Sequence, residues 1–291
     1  MKQKKNKNKK ESLTSDNMVN SVLNGKKTST YNYLIKKINK EGALHFSLID
    51  PDPMNQSPKK AAKMAYLAEE SGTDAILIGG STAFDQGFVD KTICTIREKV
   101  DIPLIIFPGG ISCVSANADA ILFMSLLNSK NPYFIIGQQA MACYTVKMSG
   151  LEYISMAYLI VEPGASAGWI GDAKLIPRNK PKISAAYALA AEMFGFKLVY
   201  LEAGSGGNRI PLEHISLTSR VLCIPLITGG GIENKEDARA FVEAGADIVV
   251  MGTFIEKNIL KDNGASLKPI IDEIKDAGKQ QKKNYCAIKK S

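Results

Sequence analysis

The chain has few histidines and no paired cysteines, and each shortage excludes a class of site. Two histidines, His45 and His214, leave almost no material for a histidine-based metal centre or a catalytic triad. The five cysteines are scattered and form no Cys-x-x-Cys pair. We therefore predict reduced thiols and a cytoplasmic protein rather than a disulfide scaffold.

Long apolar runs are also missing. No uninterrupted run reaches the roughly 18–20 residues that a membrane-spanning helix needs. The lysine-rich beginning of the chain is not followed by an apolar stretch, so we expect no signal peptide.

Positive charge is abundant but concentrated at the ends. The net charge is +8, and residues 1–10 contain six lysines, so the rest of the chain carries only +2. We interpret residues 1–28 as a basic disordered tail, 29–278 as a single catalytic domain and 279–291 as a basic C-terminal tail. No aromatic residue is interleaved with the N-terminal lysines, so specific nucleic-acid binding is not expected. Weak attraction to an anionic membrane surface is left open.

Eight short apolar runs, separated by helical patterns, predict the fold. Most runs are continuous rather than alternating, as in parallel strands that are buried on both faces. Repeated β/α units with eight strands predict an α/β protein with a (β/α)8 TIM barrel. A doubly wound open sheet is the alternative, but its glycine-rich turn would follow the first strand, whereas the glycine turns here come late. The runs are 43–49, 75–78, 103–107, 120–124, 153–161, 198–201, 224–227 and 248–251.

Two connections are irregular. Residues 108–119, between the third and fourth strands, form a connection that is short for a crossover helix and rich in glycine and other small residues. We therefore expect either a shortened helix or no helix there. A missing helix would expose an apolar groove on the side of the barrel, and such a surface favours a homo-oligomer. Residues 162–172, after the fifth strand, predict a lid or substrate loop that carries the lone Trp169.

Glycine turns follow the sixth, seventh and eighth strands. Backbone N–H groups at such turns bind phosphate at the mouth of many barrels. Glycine that only permits a turn is the simpler explanation, but three successive turns favour phosphate. These turns contain Gly204, Ser205, Gly206, Gly230, Gly231, Gly252 and Thr253.

Two carboxylates occupy strand ends, where barrel enzymes carry their chemistry. Asp50, after the first strand, is either a turn former before Pro51 or an oxygen ligand for Mg²⁺. Ser81 follows the neighbouring strand and could assist. Glu202 is the candidate acid/base, with a structural ion pair as its alternative.

Several segments together resemble the geranylgeranylglyceryl phosphate synthase family, which includes bacterial heptaprenylglyceryl phosphate synthases. The most distinctive is Tyr200-Leu-Glu-Ala-Gly-Ser-Gly206. The segments Leu48-Ile-Asp-Pro-Asp52 and Tyr158-Leu-Ile-Val-Glu-Pro-Gly164 look like the versions found in the mostly archaeal branch of the family. The other segments are His45–Asp52, Gly72–Ser81, Phe107–Gly110, Tyr158–Gly164, Gly171–Lys174, Thr228–Ile232 and Met251–Thr253.

The resemblance implies a barrel that lacks a regular third helix and a Mg²⁺-dependent transfer of a geranylgeranyl group to sn-glycerol 1-phosphate, in ether-lipid synthesis. It assigns Mg²⁺, and through it the polyprenyl diphosphate, to Asp50 and Ser81. Glu202 would activate the glycerol 3-hydroxyl with help from Tyr200. The implied glycerol-phosphate contacts are Tyr200, Leu201, Glu202, Ala203, Gly204, Ser205, Gly206, Gly230, Gly231, Gly252 and Thr253.

Pro53 departs from the family pattern, in which a lysine commonly occupies this position. Two other hypotheses share the phosphate glycines. A sugar-phosphate isomerase or lyase would not explain an apolar side groove. A non-catalytic phosphometabolite-binding protein would not explain a carboxylate and a tyrosine inside the mouth.

Overall fold

The computed structural model describes residues 29–79, 85–204 and 209–288, with side chains up to residue 281. Eight parallel strands in this part of the chain close into a barrel in sequence order. The predicted TIM barrel is confirmed, and each predicted apolar run contains one strand within a few residues. The strands are β1 (Leu44–Ile49), β2 (Ala75–Gly79), β3 (Leu104–Phe107), β4 (Ala120–Leu126), β5 (Glu152–Ile160), β6 (Leu198–Glu202), β7 (Leu226–Gly229) and β8 (Ile248–Met251).

Helices surround the barrel and connect its strands. Ser57 caps the N-terminus of α2, because its hydroxyl accepts a hydrogen bond from the N–H of Lys60 and Pro58 occupies the first helical position. The helices are α1 (Thr30–Glu41), α2 (Pro58–Glu70), α3 (Gln86–Arg97), α4 (Gln138–Ser149), α5 (Ala165–Ile170), α6 (Pro181–Met193), α7 (Leu212–Val221), α8 (Lys235–Glu243), α9 (Thr253–Asn258) and α10 (Leu267–Ile288). The backbone of α10 continues past residue 278, into the segment interpreted as a tail.

No α-helix follows β3. A single 3-10 turn, Ile111–Cys113, lies between β3 and β4, so the predicted loss of the third barrel helix is confirmed. A π-helical turn, Tyr133–Gly137, leads into α4 after β4. The outer faces of β3 and β4 therefore lack the helix that covers other strands, and a groove remains beside them.

Alternation along each strand divides the core into two layers. Tyr158, Tyr200 and Phe46 pack in the barrel interior, whereas Val199 and Leu201 pack between barrel and helices. Both layers are apolar, which explains why the strands read as continuous apolar runs.

At the lower end of the barrel, where the strands begin, aspartate carboxylates accept hydrogen bonds from the backbone of neighbouring strands. An aspartate before β2, β4 and β8 accepts a hydrogen bond from the first or second N–H group of the preceding strand. These bonds fix the amino ends of the strands and leave the opposite end for function. The pairs are Asp74 with His45 (2.8 Å), Asp119 with Leu104 (2.9 Å) and Asp247 with Leu226 (2.9 Å).

Helix α1 packs at this lower end. Glu152, at the start of β5, accepts hydrogen bonds from the Ser29 hydroxyl (2.6 Å) and the N–H of Tyr31 (3.2 Å). A carboxylate at a helix N-terminus is electrostatically favourable. No helix in the described residues is long and apolar enough to cross a membrane.

Candidate active site

Two clefts meet at the carboxyl ends of the strands. The polar cleft, about 1300 Å³, is lined on one side by Tyr200 and on the other by the turns after β7 and β8. The apolar cleft, about 890 Å³, extends towards β3, β4 and β5. Both are lined by Leu48, Asp50 and Glu202. A molecule in either cleft would therefore contact the same two carboxyl groups.

The apolar cleft adjoins a groove on the side of the barrel. Pro108 and Met124 line both spaces. This side groove runs between the 3-10 turn and α4, where the third barrel helix is missing, and its walls include Ile111, Ala142 and Val146. The groove that the sequence predicted for a missing helix is present.

Glu202 ends β6 with its carboxyl group buried in the mouth. The Tyr158 hydroxyl donates a hydrogen bond to Glu202 Oε1. Burial raises the pKa of Glu202 to about 7, the Tyr158 hydrogen bond acts in the opposite direction, and the charge of Asp50 raises the pKa further. A carboxyl group with a pKa near neutrality is suited to exchanging protons with a substrate.

Three aromatic rings pack together in the mouth that contains this carboxyl group. Phe107 stacks on Tyr200 with ring centroids 5.3 Å apart, and Tyr158 packs edge-on against Tyr200 at 5.4 Å. Burial raises the pKa of both tyrosines well above its usual value, and the charge of Glu202 adds to this. Both hydroxyl groups therefore stay protonated and can only donate or accept hydrogen bonds. The ring faces offer negative π-density to a cation.

Asp50 follows β1 and has a carboxylate oxygen without a partner. Its Oδ1 is buried and makes no hydrogen bond with the described residues. Burial, followed by the charges of Glu256 and Asp52, raises the pKa of Asp50 to about 7. Asp52, by contrast, uses both oxygens in its own loop, on the Met54 N–H (2.8 Å) and the Asn55 side chain (2.6 Å).

A divalent cation fits the Asp50 environment. An orphaned carboxylate oxygen aimed into a cleft is a ligand that Mg²⁺ accepts, usually with substrate phosphates and water completing its shell. Ser81, the second predicted ligand, lies outside the described residues. Within residues 29–79, 85–204 and 209–281, no group of three or more His, Cys, Asp or Glu side chains could hold a metal by itself.

Glycine turns form the far wall of the polar cleft. Gly230 and Gly231 have φ of +87° and +71°, a conformation that favours glycine. Gly229 permits a close approach, because a Cβ there would lie 2.5 Å from the Tyr200 hydroxyl. Gly252 and Thr253 also line the cleft, and no side chain caps the helix that begins at Thr253.

The predicted contact residues at the end of β6 and in the segment after it, residues 200–206, divide into three groups. Tyr200 and Glu202 face the clefts. Leu201 and Ala203 pack their side chains against the helices, so only their backbone is available to a ligand. Gly204 follows with φ of +92°, while Ser205 and Gly206 lie outside the described residues.

Acidic groups dominate the lining of the polar cleft. Asp50, Glu202, Glu233 and Glu256 line it, whereas Lys257 is the one basic side chain among the described lining residues. These acidic groups would repel a phosphate group in the cleft unless backbone N–H groups and a bound cation offset the repulsion.

Comparison with known proteins identifies the family. The model of the PcrB family matches residues 36–277. The chain belongs to the PcrB family. It is similar to the geranylgeranylglyceryl phosphate synthase of Thermococcus gammatolerans, with 54% identity over 226 residues that cover 77% of this chain and 88% of that protein. The Thermococcus sibiricus protein of the same name is 50% identical over 246 residues, covering 84% and 95%.

A solved structure of a family relative agrees in fold. It is the (S)-3-O-geranylgeranylglyceryl phosphate synthase of Thermoplasma acidophilum in complex with sn-glycerol-1-phosphate. The TM-score is 0.81 at 41% identity, and the match covers 86% of this chain and all of that chain. The family resemblance inferred from the sequence motifs is confirmed.

Tyr158 is one residue of this PcrB-family site to which sequence reasoning gave no role, and Phe107 is another. Tyr158 lies in the middle of an apolar run, but it is paired with Tyr200 across the β5–β6 ladder. Strand alternation then points both rings inward. The pairing of two tyrosines on neighbouring strands was the available signal.

The two histidines have structural partners. Buried His45 contacts the Thr73 hydroxyl through Nδ1 at 2.9 Å. His214 joins α6 and α7, because its Nδ1 lies 2.7 Å from the Ser184 hydroxyl and its Nε2 lies 2.9 Å from the Arg178 carbonyl. Neither lines the clefts described above.

Proposed function

We propose that this protein is a Mg²⁺-dependent prenyltransferase. It transfers the geranylgeranyl group of geranylgeranyl diphosphate to the 3-hydroxyl of sn-glycerol 1-phosphate, forming the first ether bond of archaeal-type membrane lipids. One observation carries the proposal: a polar cleft and an apolar cleft meet at two carboxyl groups, so a small phosphate ester and an apolar donor can react there. The names of the family relatives, and the glycerol phosphate bound to one of them, support it.

The acceptor occupies the polar cleft in this proposal. Its phosphate lies against the backbone N–H groups of Gly230, Gly231 and Thr253, and the sequence motif adds Gly204, Ser205 and Gly206 as further proposed contacts. Its 3-hydroxyl points to Glu202. Tyr200, which stays protonated, orients the glycerol part through its hydroxyl.

The donor occupies the apolar cleft and the side groove. The diphosphate lies at Asp50 and Ser81, where Mg²⁺, when bound, neutralises the charge of the leaving group. The prenyl chain extends past Phe107 and Met124 into the side groove. Apolar walls favour a hydrocarbon chain by about 25 cal/mol per Å² of buried apolar surface.

The reaction is a substitution at the allylic C1 of the donor. Glu202, as a carboxylate, takes the proton of the 3-hydroxyl while the oxygen forms a bond to C1. The bond between C1 and the diphosphate oxygen breaks, and its electron pair leaves with the diphosphate. The aromatic rings of Phe107, Tyr158 and Tyr200 stabilise positive charge that develops on the allyl group.

The decisive experiment combines the protein, Mg²⁺, geranylgeranyl diphosphate and sn-glycerol 1-phosphate. We expect equimolar release of diphosphate and formation of a geranylgeranyl ether, with little product from sn-glycerol 3-phosphate. Chelation of Mg²⁺ should stop the reaction. Absence of both ether and diphosphate under these conditions would refute the proposal, and turnover of a sugar phosphate without a prenyl donor would favour the isomerase hypothesis instead.

We further propose that the enzyme works in the cytoplasm. Cys94, Cys113, Cys143 and Cys223 form no disulfide bond within the described part of the chain, which suits a reducing compartment. Cell fractionation that recovered the protein outside the cytoplasm would contradict this placement.

A further inference from the structure

Arg178 joins the connections that follow β5 and β6. Its guanidinium group donates one hydrogen bond to the carbonyl oxygen of Glu162 (3.2 Å), just after β5, and another to that of Arg209 (2.9 Å), between β6 and α7. Both acceptors are backbone atoms, so these bonds fix the course of the chain in two connections at once. A planar guanidinium group with several N–H donors is suited to bridging two carbonyl groups.

The backbone of Arg178 is held in place by its neighbours. Its N–H donates to a carboxylate oxygen of Glu162 (3.3 Å), and Ile176, two residues earlier, pairs with Val161 in a parallel bridge. The carbonyl oxygen of Arg178 lies 2.9 Å from Nε2 of His214, on α7. The guanidinium group therefore extends from a fixed position on the rim of the barrel.

Buried His214 acts as a neutral link to Arg178. Burial is the main cause that lowers the pKa of His214, so its ring is uncharged at neutral pH. Since a carbonyl oxygen can only accept, Nε2 carries the proton and donates to Arg178. Nδ1 then accepts from the Ser184 hydroxyl (2.7 Å), on α6. The ring thus connects Arg178 to two helices.

The connection that Arg178 holds carries predicted phosphate contacts. At its start, the carbonyl oxygen of Ala203 accepts a hydrogen bond from the N–H of Gly164 (2.9 Å), which also follows β5. At its end, the guanidinium group of Arg209 pairs with Asp237, in the first turn of α8. Both ends are therefore anchored to neighbouring connections, and the predicted phosphate contacts at 204–206 lie between them in sequence.

We propose that Arg178 is a positioning residue for the phosphate group of the acceptor. It is not among the described residues that line the two clefts, so it acts through the carbonyl group of Arg209. The bridge holds the connection after β6 in its binding arrangement before the ligand arrives. Without the bridge, part of the affinity is lost to ordering the connection on binding. The identity of the acceptor, sn-glycerol 1-phosphate, rests on the function proposed above.

Calorimetric titration of the full chain with sn-glycerol 1-phosphate tests this role. Arg178→Met should raise the Kd about three- to tenfold, since loop ordering opposes binding. Arg178→Lys keeps the charge but replaces the planar group by a compact ammonium, so it should recover little of the loss. Arg220→Met is the matched control, because it removes an exposed arginine from the last turn of α7, away from the mouth, and should keep the Kd.

Steady-state kinetics give a second readout that a general loss of stability would not produce. In Arg178→Met, the KM for sn-glycerol 1-phosphate should rise, whereas the KM for geranylgeranyl diphosphate and kcat at saturating acceptor should stay unchanged. Circular dichroism must first establish that each variant is folded. If Arg178→Met is not folded, Arg209→Met, which removes the pair with Asp237, should raise the Kd for the acceptor in the same direction.

Three results would overturn the positioning role. Folded Arg178→Met could keep the Kd of the unaltered protein, Arg178→Lys could restore it fully, which would assign the effect to charge, or Arg220→Met could weaken binding equally. Failure of the proposed function looks different: the unaltered protein would form no ether, while the Kd values would still decide the role of Arg178. If sn-glycerol 1-phosphate does not bind, inorganic phosphate replaces it as titrant, and a protein that binds neither refutes the positioning role as well.

Discussion

The Tyr158 hydroxyl donates a hydrogen bond to the carboxyl group of Glu202, joining neighbouring strands inside the barrel mouth. This bond lowers the pKa of Glu202, against burial and the charge of Asp50, which raise it to about 7. The pKa of Glu202 therefore lies near neutrality because these effects oppose each other. The Tyr158 hydrogen bond favours the ionised form of Glu202, which is the form that can accept a proton.

Tyr158→Phe should move the acidic limb of the pH–rate profile to higher pH. Without the donor, the pKa of Glu202 rises above 7 and less of it is ionised at neutral pH. A net hydrogen bond of about 1 kcal/mol corresponds to a displacement of about 0.7 pH unit, because one pKa unit is about 1.36 kcal/mol. The measurement is kcat/KM from pH 5.5 to 9.

Tyr200→Phe is the matched control for that experiment. No hydrogen bond between Tyr200 and Glu202 is present among the described contacts, so the acidic limb of this variant should stay in place. Its turnover should fall, because it loses the hydroxyl group proposed to orient the glycerol part of the acceptor. Equal displacement of the limb in both variants, or none in Tyr158→Phe, would show that Tyr158 does not set the pKa of Glu202.

Glu202→Gln should reduce kcat roughly 10²–10⁴-fold, the usual contribution of a general base. The binding of sn-glycerol 1-phosphate, measured by calorimetry, should change little, because the amide keeps the size and much of the hydrogen bonding of the acid. Loss of binding with normal turnover would contradict the role of base.

The same variant should stabilise the free protein at alkaline pH. The folded pKa of Glu202 is raised from 4.5 to about 7, so the native state holds this proton more tightly than the unfolded chain. Stability is therefore lost as the pH rises through this range, by up to about 3 kcal/mol. Urea unfolding should find Glu202→Gln little changed at pH 5 and more stable than the unaltered protein at pH 8.5. Glu213→Gln, which replaces an exposed carboxylate on α7, is the control variant, and an equal gain in that variant would show that the burial of Glu202 is not the cause.

Asp50→Asn should weaken Mg²⁺ binding selectively. The variant loses the carboxylate whose oxygen lacks a protein partner, so the Mg²⁺ concentration for half-maximal rate should rise at least tenfold, and high Mg²⁺ should restore part of the activity. Asp52→Asn, on the same loop, should keep the original Mg²⁺ dependence because Asp52 bonds only to its own loop. Titration calorimetry with Mg²⁺ and pyrophosphate gives a second readout, and identical behaviour of the two variants would contradict the assignment.

The sequence predicted the barrel because buried parallel strands leave continuous apolar runs and because glycine turns marked their ends. It did not predict α4, since Gln138–Ser149 lacks the amphipathic period of a helix packed on a barrel; its apolar residues point outward as well as inward.

The candidate site was predicted by position rather than by environment. Strand ends identified Asp50 and Glu202 correctly as mouth residues. Tyr158 was missed because its inward direction depends on the β5–β6 register, which appears only after folding. The same alternation turns the side chains of Leu201 and Ala203 away from the clefts, although the motif that contains them is contiguous. The pKa values near 7 arise from burial, which a linear motif does not reveal.

Ala142→Trp should make the enzyme discriminate against long donors. Ala142 lines the side groove together with Ile121 and Val114, and an indole there would fill space that the far end of a C20 chain needs. A C10 geranyl chain ends nearer the mouth, so its kcat/KM should fall far less than that of geranylgeranyl diphosphate. Ala186→Trp, on the exposed side of α6 and outside the clefts, should leave the ratio of the two values unchanged. If Ala142→Trp lowers both donors equally, the chain does not follow the side groove, and the groove opened by the missing helix needs another explanation.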